Sequence, residues 1–147
     1  MSRSHETIID LKATPEEVFR ALTDPEQIVK WFVPGARVEP RVGGEYVKVW
    51  GPGMESTSTI SAWEPGKHFG TYSERSIAYG SKGGPVDTGV VQKMCVDYYI
   101  EALGGGITRL RLVQSGFGPE AAWDDEFAET KTGWAAYLKK LKELLEK

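Results

Sequence analysis

The sequence predicts an α+β domain in which a curved antiparallel sheet wraps around a long C-terminal helix, with two short helices after the first strand. Three observations carry this reading. An apolar stripe recurs at steps of three and four through the end of the chain, as on one face of an amphipathic helix. Short runs rich in Val, Tyr, Trp, Thr and Ile, punctuated by Gly and Pro, fill the middle. Two helix-start signatures stand back to back near the N-terminus.

The first strand is read from Thr7, Ile9 and Leu11, which alternate with Ile8, Asp10 and Lys12. Thr14-Pro15-Glu16-Glu17 then supplies an N-cap hydroxyl, a proline at the first helical position and a carboxylate at the third, so the first helix runs through Leu22. Asp24-Pro25-Glu26-Gln27 repeats the signal and starts a second helix with Ile28, Trp31 and Phe32 on its apolar side. Strands are expected near Val38 and over Glu45–Trp50, Ser56–Trp63 and His68–Ser73. The interval Glu74–Asp87 holds Gly80, Gly83, Gly84 and Pro85 with little periodicity, and reads as a long loop or an extended hairpin end.

Two long strands follow, Gly89–Leu103 and Ile107–Ser115, joined at Gly104-Gly105-Gly106 by a turn that needs positive φ. Met94, Val96, Tyr98 and Ile100 share one face, which Leu110, Leu112 and Gln114 extend. From Pro119 to Lys147 the stripe Trp123, Phe127, Thr130, Trp134, Leu138, Leu141 and Leu145 marks the terminal helix. At 1.5 Å per residue it would be about 40 Å long, longer than any one strand, so the sheet must curve around it. Gly133 inside it costs roughly 1 kcal/mol relative to Ala, which a close backbone approach would explain.

Composition narrows the class. A chain of 147 residues is one ordinary domain, and 40% hydrophobic with 27% charged residues excludes wholesale disorder. A net charge of −3 with interspersed signs offers no cationic footprint for nucleic acid. A single cysteine, Cys95, forms no internal disulfide and fits a reducing cytoplasm; no stretch reads as a signal peptide or a membrane span. His5, at a terminus expected to fray, and His68, near a turn, have no partner at ligand spacing, so neither metal nor cofactor is expected. Five Trp, six Tyr and five Phe beside 17 Gly imply uneven packing space.

This order of elements resembles the helix-grip fold of the START and birch-pollen-allergen (SRPBCC) superfamily, and more narrowly the bacterial homologues of the heat-shock protein 90 ATPase activator. The matching stretches are Ala13 through Pro25, Trp31, Gly43-Gly44-Glu45-Tyr46, Gly106 through Leu112, Ser115-Gly116-Phe117 and Gly133-Trp134. They span nearly the whole chain, residues 1–147, as one domain. Many relatives carry His before Ser-Gly-Phe, where this chain has Gln114, and Glu74–Asp87 is longer than the corresponding connection. The resemblance implies a cavity between sheet and helix that takes apolar molecules. Some superfamily members cyclise or dehydrate polyketides, and the eukaryotic namesakes stimulate a chaperone ATPase.

The residues expected to line such a cavity are Trp31, Tyr46, Lys48, Trp50, Met94, Tyr98, Leu112, Gln114, Phe117, Trp123, Phe127, Thr130 and Trp134. Rings would hold the body of a ligand, while Tyr hydroxyls and Trp indoles orient its polar atoms. Lys48 shares strand parity with Tyr46 and Trp50 and would meet a ligand carboxylate, Glu126 or Glu129, unless a bulge turns it outward. Arg109 and Arg111 belong to the outer face, with Asp97 or Glu101 as cross-strand partners. No nucleophile has an identifiable base. The first reading is therefore a non-catalytic binding domain for a small hydrophobic molecule. The alternatives are a polyketide cyclase or dehydratase using Lys48, Tyr98 or Gln114, and a chaperone-cofactor module. A homodimer through the sheet edge or Glu74–Asp87 is left open.

Overall fold

The computed structural model describes residues 2–80 and 84–147. Seven antiparallel strands form one open sheet: β1 (Arg3–Lys12), β2 (Gly35–Val38), β3 (Glu45–Gly51), β4 (Met54–Glu64), β5 (His68–Gly80), β6 (Gly84–Gly104) and β7 (Ile107–Phe117). Their spatial order is β1-β7-β6-β5-β4-β3-β2, so the short strand β2 and the N-terminal strand β1 are the two edges. Helices α1 (Pro15–Thr23) and α2 (Pro25–Trp31) follow β1, and α3 (Asp124–Leu145) closes the chain against the concave face. This is the predicted architecture.

Local chemistry sets the element ends. Thr14 Oγ1 accepts from the Glu17 amide and Glu17 Oε1 accepts from the Thr14 amide, both at 3.1 Å, so two orphan donors of α1 are satisfied reciprocally. Asp24 ends α1 through its amide and begins α2 through its side chain, which accepts from the Glu26 amide at 2.9 Å. Trp31 Nε1 donates to the Ala21 carbonyl at 2.8 Å and locks the two helices at an angle. Gly104, Gly105 and Gly106 have φ of 90°, 63° and 80°, the positive values that the turn required.

Pairing of β6 with β7 follows the alternation read from sequence: Val96 faces Gln114, Tyr98 faces Leu112 and Ile100 faces Leu110. Leu11, Leu110, Leu112, Leu138 and Leu141 are completely buried between sheet and helix. Each contributes about 1.5–3 kcal/mol by leaving water.

Several expectations are corrected. Of the two forms expected for Glu74–Asp87, its described residues take the extended hairpin end: β5 and β6 pair there, with Ile77 opposite Asp87 and Gly80 opposite Gly84, and only Gly83 of the glycines named there lies outside the described residues. At 21 residues β6 outruns the 22-residue α3, because a strand rises about 3.3 Å per residue against 1.5 Å in a helix. Helix length is therefore not what bends the sheet. Irregular pairing at Val49/Gly51, Ile60/Ala62, Arg75/Ile77 and Ala102/Gly104 adds local bends along the strands.

The terminal helix starts at Asp124 after a 3-10 turn, Ala121–Trp123, rather than at Pro119. Arg3 explains the delay. Its guanidinium donates to the carbonyls of Gly118 and Glu120 and pairs with Asp124 at 2.8 Å, holding the chain out of helical geometry until Trp123 is buried.

The N-terminus is not frayed at His5, which is buried in β1 with Nε2 2.8 Å from Thr130 Oγ1. The Thr130 hydroxyl gives its only proton to the Glu126 carbonyl at 2.7 Å, so His5 Nε2 is the donor. Burial, with Lys131 nearby, holds the His5 pKa below its ordinary value. On the outer face, Arg109 and Arg111 pair with Asp10 and Glu6 of β1, not with Asp97 or Glu101 of β6. Asp97 instead meets His68 at 2.8 Å, and the His68 ring stacks on Tyr99.

Candidate functional site

Between the concave sheet face, the end of α2 and the first half of α3 lies a partly open cleft of about 900 Å³. Its apolar wall is built around Phe32, the residue that ends α2. That ring lies 5.2 Å from Trp134, 4.9 Å from Tyr137 and 5.8 Å from Trp50, centroid to centroid. Met94 and Val96 of β6 form the floor, and Gln114 closes it from β7. Polar groups of the sheet complete the lining: Ser56 and Ser58 from β4 and Thr71, Ser73 and Arg75 from β5, with Lys48 of β3 setting its ammonium over the Phe32 and Trp50 rings.

Of the residues predicted to line a cavity, Lys48, Trp50, Met94, Gln114, Thr130 and Trp134 are on the cleft wall. Trp31, Tyr46, Tyr98 and Leu112 are packed in the main core. Phe117, Trp123 and Phe127 form a separate cluster with Ala78 at the start of α3. The division has a physical cause. Phe69 packs between Tyr46, tilted at 5.3 Å, and Tyr98, stacked at 5.8 Å, and all three rings are buried in the main core. Burial pushes both phenols, Tyr46 and Tyr98, well above the ordinary tyrosine range, so they stay protonated. Trp50 reaches only the rim and is 40% exposed, because the pairing irregularity at Val49/Gly51 displaces it from the face that Lys48 keeps.

Phe32, Tyr137 and Arg75 belong to the site and were absent from the expected set. Tyr137 stands three residues after Trp134, a spacing that places it beside the stripe. Gly133 has open space where a Cβ would stand, so the expected close backbone approach is absent and the missing side chain keeps the cleft clear.

Two cations sit in the cleft in unlike states. Arg75 grips Glu126 with both terminal nitrogens, and Glu126 also accepts from the Tyr79 amide at 2.7 Å. This takes Glu126, one of the two helix carboxylates expected to meet Lys48, away from it. Lys48 Nζ has only rings around it, those of Phe32 and Trp50 at 5.8 and 5.7 Å. It makes no ion pair or hydrogen bond among the described residues. Desolvation, reinforced by the positive charge of Arg75, pushes its pKa down from 10.5 to about 8.

Stability should therefore depend on pH in a defined sense. Between pH 8 and 10.5 the unfolded chain holds a proton on this lysine that the folded chain has released, so stability rises with pH there. Below pH 8 both states are protonated and the partly desolvated ammonium opposes folding, by up to about 3 kcal/mol. Lys48→Met should stabilise the ligand-free protein at pH 7 by roughly 1–3 kcal/mol, with a smaller gain at pH 9.5. Urea denaturation at both values checks this; a loss of stability at pH 7 or a pH-independent gain would contradict it.

No group of three or more His, Cys, Asp or Glu among the described residues could hold a metal ion, and no helix there is long and apolar enough to cross a membrane.

An open seven-stranded antiparallel sheet gripping a C-terminal helix, with paired short helices after β1, defines the helix-grip class of α+β proteins. Within that class, the chain belongs to the family described as Activator of Hsp90 ATPase homolog 1-like protein, which matches residues 12–146. No curated protein matches the sequence significantly. Among solved structures, protein MLL2253 from Mesorhizobium loti is 25% identical, with a TM-score of 0.78 over 98% of this chain and 97% of its own. The Aha1 dimer from Colwellia psychrerythraea, solved in solution, is 21% identical with a TM-score of 0.74 over 98% and 96%. CalU16 from Micromonospora echinospora is 21% identical with a TM-score of 0.70 over 98% and 76%.

Proposed function

We propose that this protein binds a small apolar or aromatic molecule in the cleft between the sheet and α3. The observation that carries the reading is the facing of the Phe32, Trp134 and Tyr137 ring cluster by a wall of β-strand hydroxyls across about 900 Å³, a size within the usual range for small-molecule sites. Gly133 supports it, since a residue that weakens its helix stands where any larger side chain would intrude.

Native mass spectrometry of the purified protein, joined to a thermal-shift screen of neutral aromatic and aliphatic compounds, tests the reading. Hits should raise Tm in the wild type and do so less in Gly133→Leu, a variant that narrows the cleft beside Trp134 and improves helix propensity. A wild type that no compound stabilises, or hits that act equally on Gly133→Leu, would refute it.

A further inference from the structure

We infer that the ligand of this cleft carries a single anionic group, a carboxylate on an aromatic or apolar body, and that Lys48 receives it. The inference rests on the cleft being a binding site and specifies the chemistry of its occupant.

The argument begins with what Lys48 lacks. An ammonium taken from water into protein surroundings needs an anion or several acceptors to offset its lost hydration. Here it has two ring faces, whose quadrupoles compensate in part. Of the carboxylates lining the cleft, Glu126 is committed to Arg75 and the Tyr79 amide and Glu55 to Arg37 at 2.9 Å, and no carboxylate of the described residues pairs with Lys48. Desolvation first, and the positive charge of Arg75 second, disfavour the ammonium as it stands, a cost that an incoming anion would offset.

A second observation points the same way. Thr71 is buried to 7% exposure on the cleft wall, and its hydroxyl, like those of Ser58 and Ser73 on the same wall, makes no hydrogen bond to another described residue. One cation seated over the Phe32 and Trp50 rings, in a cleft that also presents three hydroxyls without a partner among the described residues, matches a carboxylate on a flat apolar molecule. A charged acceptor would gain strong hydrogen bonds there that a neutral ligand could not.

Calorimetry with 2-naphthoate and the neutral, near-isosteric 2-naphthamide tests the assignment in wild type and Lys48→Met. At pH 7 the wild type should hold the acid at least about tenfold more tightly than the amide. Lys48→Met should remove that preference, bringing the affinities for acid and amide within about twofold of each other. Raising the pH from 7 to 9.5 should weaken the acid about tenfold and spare the amide, because the ammonium is lost. The charged and titratable groups facing Lys48 across the cleft are Glu55 from β4, Glu74, Arg75 and Tyr79 from β5, and Glu126, Glu129 and Tyr137 from α3. Comparing acid with amide cancels what these do to the apolar body. Equal affinity for acid and amide, or a preference that survives Lys48→Met, would overturn the anion assignment while leaving the cleft a binding site. Binding of neither probe would overturn both.

Discussion

Trp134→Ala should destabilise the protein by about 3–5 kcal/mol, the range for emptying a buried indole site. Trp134 is 8% exposed and is held between Phe32, Tyr98 and Tyr137, at 5.2, 6.0 and 6.0 Å. Its Nε1 donates to Gln114 Oε1 at 2.7 Å, tying α3 to β7. Truncation removes three ring contacts at once and leaves the Gln114 amide without its donor, although water entering from the cleft can replace that bond. Trp134→Phe separates the two contributions: it keeps most of the ring packing and should cost only about 1–2 kcal/mol through the lost hydrogen bond and a small void. Urea unfolding of both variants checks the result. A loss below about 1 kcal/mol for Trp134→Ala would mean that α3 is not anchored through this residue.

Arg75→Met is the second large effect, again a loss of about 3–5 kcal/mol, because it leaves the Glu126 carboxylate buried and unpaired. Glu126 is 6% exposed and Arg75 is its only ion-pair partner among the described residues. The guanidinium also caps the Ile77 carbonyl and lies over Trp123 and Tyr79, so it ties β5 to the first turn of α3. Adding Glu126→Gln should recover about 2 kcal/mol of the loss. The amide oxygen still accepts from the Tyr79 N–H, and no charge is stranded. A double-mutant cycle in urea measures the coupling. If Arg75→Met unfolds like wild type, or Glu126→Gln brings no recovery, the pair is not the strut described here.

Both predictions turn on residues that sequence exposes unequally. Trp134 is legible because helical periodicity is local: it falls on the stripe with Leu138 and Leu141 whatever the sheet does. Arg75 is not, because Gly80, Gly84 and Gly89 break the alternation around it, and only long-range pairing of β5 with β6 makes strand of that segment. The same contrast runs through the site. Lys48 keeps the face that parity assigns it, whereas two residues later the irregularity at Gly51 carries Trp50 to the rim. Caps and the Gly104–Gly106 turn involve neighbours within a few residues and are readable. Which rings fill the core and which line the cleft depends on partners far apart in sequence, such as Phe69 with Tyr46 and Tyr98. Phe32 is legible as apolar beside Ile28 and Trp31 but not as a cleft residue, because it stands just past the last turn of α2, where helical periodicity no longer says which way it points.

The fold and family are those the elements and motifs predicted; what structure adds is the make-up of the cleft, with the rings of Phe32, Trp134 and Tyr137, strand hydroxyls, and an ammonium that has no ionic or hydrogen-bonding partner among the described residues. An NMR titration of the isotope-labelled protein with 2-naphthoate tests that most directly. Backbone shifts should gather at Phe32, Lys48, Thr71, Gly133 and Tyr137, the indole signals of Trp50 and Trp134 should move with them, and Glu6, Tyr99 and Arg109 on the outer face should stay still. Shifts gathered on that outer face, or none at millimolar probe, would contradict the account.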